Sequence, residues 1–331
     1  VVEAGMNEAT QRSPAERSSV WEVLAVFLRL GLTSFGGPVA HLGYFRDAFV
    51  LRKRWLDEQG FGDLVALSQF LPGPASSQVG IAVGASRAGF AGALAAWAGF
   101  TLPSAIALIL FAAGVERFAG ANAAGWLAGL RVVTVAVVAR ATWGMARTLC
   151  PDVPRATLAV AATLVVLAIS GPAGQIASIA LGALVGGFAF RVDAPGSPRP
   201  LSLAVGRRAG GWLLVVFALL LAGLPLAAGA SGVLGVLLFD SFYRSGSLLF
   251  GGGHVILPLL QAQVVPPGWI DNDGFLAGYG AAQAVPGPLL AFSAYLGAIM
   301  DPRLGGWPMG FLCLVAVFLP SFLLVLGAMP F

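Results

Sequence analysis

Arg29 and the stretch LTSFGGPVAH behind it, Leu32 to His41, set a cation, hydroxyls and paired glycines inside an apolar run. The same set returns at Arg244, ahead of LLFGGGHVIL, Leu248 to Leu257. A guanidinium offers a rigid fork of N–H donors that matches an oxyanion. Thr33 and Ser34 add hydroxyl donors, as do Ser245 and Ser247 in the second copy. Gly36 and Gly37, matched by Gly251 and Gly252, let backbone approach closely and expose N–H groups. The helix restarting after them presents the positive end of its dipole. Arginine, open N–H groups and hydroxyls together describe an oxyanion site. Plainer roles are open to the same residues. Each arginine could pair with a local carboxylate, Glu22 or Asp240, or snorkel to an interface. The glycines could form a packing contact of the kind common in membrane bundles. Packing accounts for small residues but not for Pro38 or the repeated arginine.

A second break follows in each copy, Pro72-Gly73-Pro74 and Pro286-Gly287-Pro288. Proline removes a donor and restricts its neighbour, so a helix must stop there. Backbone groups freed at membrane depth are tolerated only in a cavity or buried in protein. Gln69 and Gln283 stand three residues ahead of the first proline, placed either to bind substrate or to satisfy the broken backbone. Ser76, Ser77 and Gln78 extend the first copy with polar groups, where the second has Leu290, Ala291 and Phe292. His41 and His254 each follow a glycine break, and packed neutral hydrogen-bond donors are the expected role. Asp57 and Asp271 follow tryptophan in matching loops and are expected to cap the next helix. Arg140 is a further deep charge, facing a pathway, Asp63 or Glu116. No nucleophile–base set, metal-ligand cluster or phosphate loop is present, so no enzyme, no cofactor and no nucleotide-driven pump is expected. Cys150 and Cys313 lie in unrelated apolar contexts and are expected to stay unpaired.

The elements that must position these groups follow from composition. The 331 residues are 58% hydrophobic and only 10% charged, with a mean hydropathy of +0.86. Soluble domains carry about 25% charged residues, so lipid is the solvent for most of this surface. A lipid-facing backbone must be helical or a closed barrel. The long unalternating apolar runs, such as Ala156 to Ala168 and Trp212 to Leu224, exclude barrel strands. The fold class is therefore an all-α polytopic membrane protein. A first apolar segment covers Val20 to Phe35 and continues past the break to Val50; Phe61 to Gly84 is broken at Pro-Gly-Pro. Spans are expected at Ala88–Gly114, Gly125–Leu149, Ala156–Ser170, Pro172–Phe190 and Gly211–Ala228, the short pair around SGPAG forming a hairpin. Arg29 then lies about 15 Å into its helix. A charge there costs about 2.5–3.5 kcal/mol unless paired or wet.

The second half repeats the first. Arg29, Gly31, Phe35, Gly36 and Gly37 recur as Arg244, Gly246, Phe250, Gly251 and Gly252. WLDEQGFGDLVALSQFLPGP, from Trp55, recurs as WIDNDGFLAGYGAAQAVPGP, from Trp269, and Leu102-Pro103-Ser104 recurs as Leu319-Pro320-Ser321. Blocks in the same order at preserved spacing indicate an internal duplication. The organisation is a polar cytoplasmic tail over 1–19, a first half over 20–190, a cytoplasmic linker over 191–210 and a second half over 211–331. The first half's loop carries Arg46, Arg52, Lys53 and Arg54, whereas 261–274 has no Lys or Arg and holds Asp271 and Asp273. Lys and Arg collect on the cytoplasmic side, and five spans separate the two sets of hairpins. Both point to repeats of inverted topology with broken, re-entrant hairpins, which in membranes usually surround a transport site. The second half ends at Phe331, earlier than the first half's pattern runs, either as an asymmetry or as a shortening. The basic balance belongs to loops, and no nucleic acid partner is expected.

The combination of FGGP-x-x-H, WLDEQ…LPGP, the second copy with FGGGH and WID…VPGP, and the paired LPS resembles the chromate ion transporter family over Trp21 to Leu323. The resemblance implies two homologous halves of opposite orientation and export of chromate, with sulfate, a similar tetrahedral dianion, as competitor or counter-ion. The expected protein is thus a secondary transporter in the inner membrane, its N-terminus cytoplasmic, carrying a metal-resistance function by alternating access. Its partners are chromate or sulfate and the lipid bilayer, with a homodimer among the open arrangements. The alternative is a transporter of sulfate or another inorganic anion, or an anion channel. The expected substrate-binding set is Arg29, Thr33, Ser34, Gly36, Gly37, Gln69, Pro72, Gly73, Pro74, Ser76, Arg244, Ser247, Gly251, Gly252, Gln283, Pro286, Gly287 and Pro288.

Overall fold

A computed structural model describes residues 18–117, 150–169, 172–189, 205–249, 256–300 and 305–331, with scattered positions between 129 and 147. Among these residues every regular element is helical. Among the described residues, three helices are long and apolar enough to cross a membrane: Ala75–Gly114, Arg207–Ser231 and Gly306–Ala328. Several expectations fall outside the described residues: the tail up to residue 17, the SGPAG turn, most of Gly125–Leu149 with Arg140, most of the 191–210 linker, and the second glycine break with His254.

Helix α1 (Val20–Thr33) is capped by Ser19, whose hydroxyl accepts from the Trp21 N–H. It buries Val23, Phe27, Leu30 and Gly31, one face at helical spacing. It ends where Ser34 turns extended. Gly36 (φ 98°) and Gly37 (φ 78°) then take left-handed conformations that favour glycine. Pro38 sits in the first turn of α2 (Gly37–Arg46), where its missing N–H costs nothing. A π-helical turn, Asp47–Arg52, closes this arm. Helix α3 (Glu58–Phe70) is capped by Asp57, which accepts from the Gly60 N–H at 2.8 Å. Pro-Gly-Pro separates α3 from α4 (Ala75–Arg117), which breaks its helical geometry at Ala88 and Gly89 (φ 63°). The expected start of a new span at Ala88 is that kink. Helices α5 (Val153–Ala168) and α6 (Pro172–Ala189) pack on each other, as expected of a hairpin.

The second half opens with α7 (Arg207–Ser231), then α8 (Leu234–Ser247), α9 (Ile256–Val264) and α10 (Asn272–Ala284). Asp271 caps α10 through the Gly274 N–H at 2.7 Å, the counterpart of Asp57. After the second Pro-Gly-Pro come a short 3-10 turn, α11 (Phe292–Ile299) and α12 (Gly306–Ala328).

Close approaches repeat between halves. A Cβ at Gly31 would stand 2.5 Å from the Gly99 carbonyl oxygen, and one at Gly246 would collide with that of Val317. So α1 lies flush on α4, and α8 on α12. The apolar core forms two clusters, and each borrows from the opposite half. One joins the second half to Ala105, Leu108, Ile109 and Ala112 of α4. The other joins the first half to Phe322, Val325 and Leu326 of α12. Each helix passes from one core toward the other near its internal proline, Pro103 or Pro320.

Candidate functional site

The two Pro-Gly-Pro breaks are satisfied across the halves, by equivalent residues. The Gly73 N–H donates to the Leu249 carbonyl at 2.6 Å, and the Gly287 N–H donates to the Ser34 carbonyl at 2.9 Å. Ser34 and Leu249 each precede the phenylalanine of a Phe-Gly-Gly motif. Both glycines hold positive φ, 131° and 105°. A Cβ at Gly73 would press into the Gln78 side chain and stand 2.8 Å from the Ser321 hydroxyl. A Cβ at Gly287 would stand 2.8 Å from the Ser104 hydroxyl. The serine of each Leu-Pro-Ser block therefore meets the Pro-Gly-Pro of the opposite half.

Around the first break the polar groups are buried. Gln78 uses its side-chain N–H to satisfy the Pro72 carbonyl at 2.7 Å. That is the backbone-repair role open to Gln69, which instead is exposed at the end of α3. Ser76 lies 3.5 Å from Nδ1 of His41, whose ring stands edge-on to Phe100. Buried Ser34, Ser77 and Ser321 hydroxyls and the Gln78 Oε1 have no protein hydrogen-bond partner among the described residues. Pro74 is buried and Pro72 half-buried. In the second copy Pro288 is buried, Pro286 and Gly287 are half-buried, and Gln283 shares a hydrogen bond with Tyr279.

The arginines do not stand in equivalent surroundings. Arg244 binds Asp240 one turn back, at 2.5 Å. Arg29 has Ala25 at that position, and Glu22 is taken by Lys53 at 2.8 Å. Arg29 is exposed and lines a groove of about 320 Å³ with Thr33, Tyr44, Asp47, Arg52 and Lys53. Asp47 is paired with Arg52. Arg46, at the end of α2, is bonded to Glu58 at the start of α3, which raises the pKa of the guanidinium further. Arg29 makes no ion pair among the described residues. The hydroxyls of Thr33 and Ser247 donate back to the carbonyls of Arg29 and Tyr243, each at 2.8 Å, and Ser245 does the same to Ser241. Of the expected hydroxyl donors beside the first glycine break, Ser34 is the one left open. Gly36 is exposed and Gly37 half-buried; Gly251 and Gly252 lie outside the described residues. Ser104 and Ser321 were not expected at the site. Their in-register repetition beside a proline was the available signal.

Helices broken in matching places, with the breaks exchanged between two halves around buried hydroxyls, define a polytopic α-helical protein of the transporter class. A family model described as chromate transporter matches residues 21–188 and 236–331. The chain belongs to the chromate transporter family. It is 29% identical to a chromate transport protein of Pseudomonas aeruginosa over 95% of this chain and 74% of that protein. It is 27% identical to an uncharacterized transporter of Methanocaldococcus jannaschii, over 98% and 80% of the two chains. A chromate transport protein of Cupriavidus metallidurans is 26% identical, over 94% and 74%. No solved structure matches the chain.

Proposed function

We propose that this protein exports chromate across the inner membrane by alternating access, with its N-terminus in the cytoplasm and sulfate as competing ion. The observation that carries this reading is the exchanged pair of hydrogen bonds, Gly73 to Leu249 and Gly287 to Ser34. It joins each Pro-Gly-Pro break to the residue ahead of the opposite half's Phe-Gly-Gly motif, which suits a site placed between repeats of opposite orientation. The named relatives that transport chromate support the choice of ion. Buried hydroxyls on Ser34, Ser77 and Ser321 would donate to the oxyanion beside the backbone of the two Pro-Gly-Pro breaks. Gly36, Gly37, Gly251 and Gly252 would supply open N–H groups. Arg244 would supply charge from within, and Arg29 from the groove at the first arm. Gln69, Ser76 and Gln283 would shape the approach.

The test is chromate flux into everted membrane vesicles and reconstituted liposomes, with sulfate as competitor. Wild type is expected to show saturable chromate flux, and Arg29→Ala and Arg244→Ala each to lose at least tenfold. Unchanged flux in both variants would remove the arginines from the site. Flux that fails to saturate would favour a channel.

A further inference from the structure

We propose that the groove beside Arg29 binds a phospholipid headgroup of one net negative charge, held through its phosphodiester; this goes beyond the transport reading above and holds whichever ion is carried. Arg29 is the uncancelled charge of the groove. Among the other ionic side chains in its lining, Asp47 is balanced by Arg52 at 2.7 Å, and Lys53 is bonded to Glu22 at 2.8 Å. Arg29 makes no ion pair among the described residues, whereas its repeat mate Arg244 holds Asp240. A charge on a membrane helix needs a partner or water. Where Arg244 has Asp240 one turn back, Arg29 has Ala25, so its partner comes from outside the chain.

Lipid is the neighbour on that side. Trp21, Ala25, Leu28 and Leu32 are exposed along one face of α1 at helical spacing, and Arg29 interrupts them. Trp21 is 76% exposed at the start of the helix, a place where tryptophan marks the headgroup level. Lys53 is fixed near that level by its bond to Glu22, and its ammonium stands 5.9 Å from the centre of the Trp55 ring, itself stacked on Phe49. Arg29 comes seven residues after Glu22, about 10 Å further along α1. A long cationic side chain at that depth extends toward the headgroups. The groove, of about 320 Å³, has Arg29 and Thr33 in its lining together with Arg52 and Lys53, so it spans both levels. Val26, Leu30 and Ala48 form its apolar part.

A phosphodiester suits this lining. Its two free oxygens match the fork of the guanidinium. Its single charge equals the one uncancelled charge of the groove. The Tyr44 hydroxyl is a further donor, and Arg52 and Lys53 keep N–H groups beyond those that hold Asp47 and Glu22. The glycerol and upper chains then lie on Val26, Leu30 and Ala48 and along the exposed Leu28 and Leu32. A bare ion in water leaves those apolar surfaces unused, which separates a lipid from a free anion. Basic pockets between membrane helices take anionic headgroups in this way. A guanidinium has five donors, so Arg29 keeps some for the oxyanion that the transport reading brings to it. The second half has no equivalent groove charge: Arg244 is held by Asp240, and 261–274 carries no Lys or Arg. The expected stoichiometry is one such lipid per chain.

The test uses the full chain purified in nonionic detergent, with retained lipid counted by native mass spectrometry and thermal unfolding read alongside. The probe is phosphatidylglycerol. Phosphatidylcholine with the same chains has the same phosphodiester and no net charge. Wild type is expected to retain one phosphatidylglycerol with a preference of about tenfold over phosphatidylcholine, the worth of one charge-assisted contact, and to unfold at a higher temperature with it. Arg29→Gln is expected to lose that preference and the thermal shift, while unfolding like wild type in lipid-free detergent. Arg208→Gln, the same charge removed from the first turn of α7, is expected to keep both. Inorganic phosphate at the same concentration is expected to leave the lipid count and the unfolding temperature unchanged. Equal retention of the two lipids by wild type would overturn the site, whatever the variants do. So would an undiminished preference in Arg29→Gln. Protection by inorganic phosphate equal to that by the lipid would make the groove a free-anion site and overturn the lipid assignment. Chromate flux enters none of these readings, so failure of the transport reading is seen separately.

Discussion

Gly73→Ala is the substitution that bears hardest on the exchanged breaks. Gly73 sits at φ 131°, where an L side chain is strained by about 1–3 kcal/mol. Its new methyl would run into Gln78 and stand 2.8 Å from the Ser321 hydroxyl. Moving Gln78 gives up its bond to the Pro72 carbonyl, a further loss of about 1 kcal/mol. The sum is about 2–4 kcal/mol. Equilibrium unfolding in mixed micelles should read that loss directly, and chromate flux per folded molecule should fall as Gly73 pulls away from Leu249. Gly223→Ala is the control: it lies within α7 with nothing near its Cβ position. It should be neutral or stabilising by about 0.5–1 kcal/mol. If Gly73→Ala matched Gly223→Ala in both stability and flux, the Pro-Gly-Pro break would not be held as described.

Asp57→Ala and Asp271→Ala each remove a helix cap, and each should cost about 0.5–2 kcal/mol in the same unfolding assay; equal loss in the two would fit their equivalence. Gly246→Val should separate α8 from α12, whose backbone blocks any Cβ there, and should lower folded yield in membranes far more than Gly235→Val, where a Cβ would meet only the Leu312 side chain at an ordinary 3.9 Å. Cysteine tags placed within 52–58 and 266–274, in a chain lacking Cys150 and Cys313, should label from opposite sides of the membrane, and labelling from one side would end the inverted-repeat proposal.

Much of the fold was legible because it rests on local chemistry. The break at the first Phe-Gly-Gly and the two at Pro-Gly-Pro follow from glycine and proline geometry, and the two aspartate caps follow from their place ahead of a helix. The duplication was visible as matching blocks. The exchange of the breaks was not legible, since nothing local in Gly73 names Leu249 as its acceptor. Nor was the bonding of Thr33 and Ser247 to their own helices, because a hydroxyl in a helix is free to turn either way. The outward turn of Arg29 is written in the periodicity of its helix. Val23, Phe27, Leu30 and Gly31 fix the buried face of α1, and at about 100° per residue Arg29 lies roughly 200° round from Phe27. Arg244 is only partly exposed, since nearly all of α8 around it is buried, and Asp240 meets it there.

The crossed hydrogen bonds also set an order of events during synthesis. Gly73 enters the membrane long before its acceptor Leu249 has been made. At about 5–20 residues per second, the gap is roughly 10–35 s. Through that time the first break must find another partner, in water, in lipid headgroups or in the insertion machinery. The newborn first half is thus an open clasp, closed only when the second half arrives. A ribosome pause or truncation between the two copies would leave that clasp open, exposed to quality-control proteases or to the same clasp on a neighbouring chain.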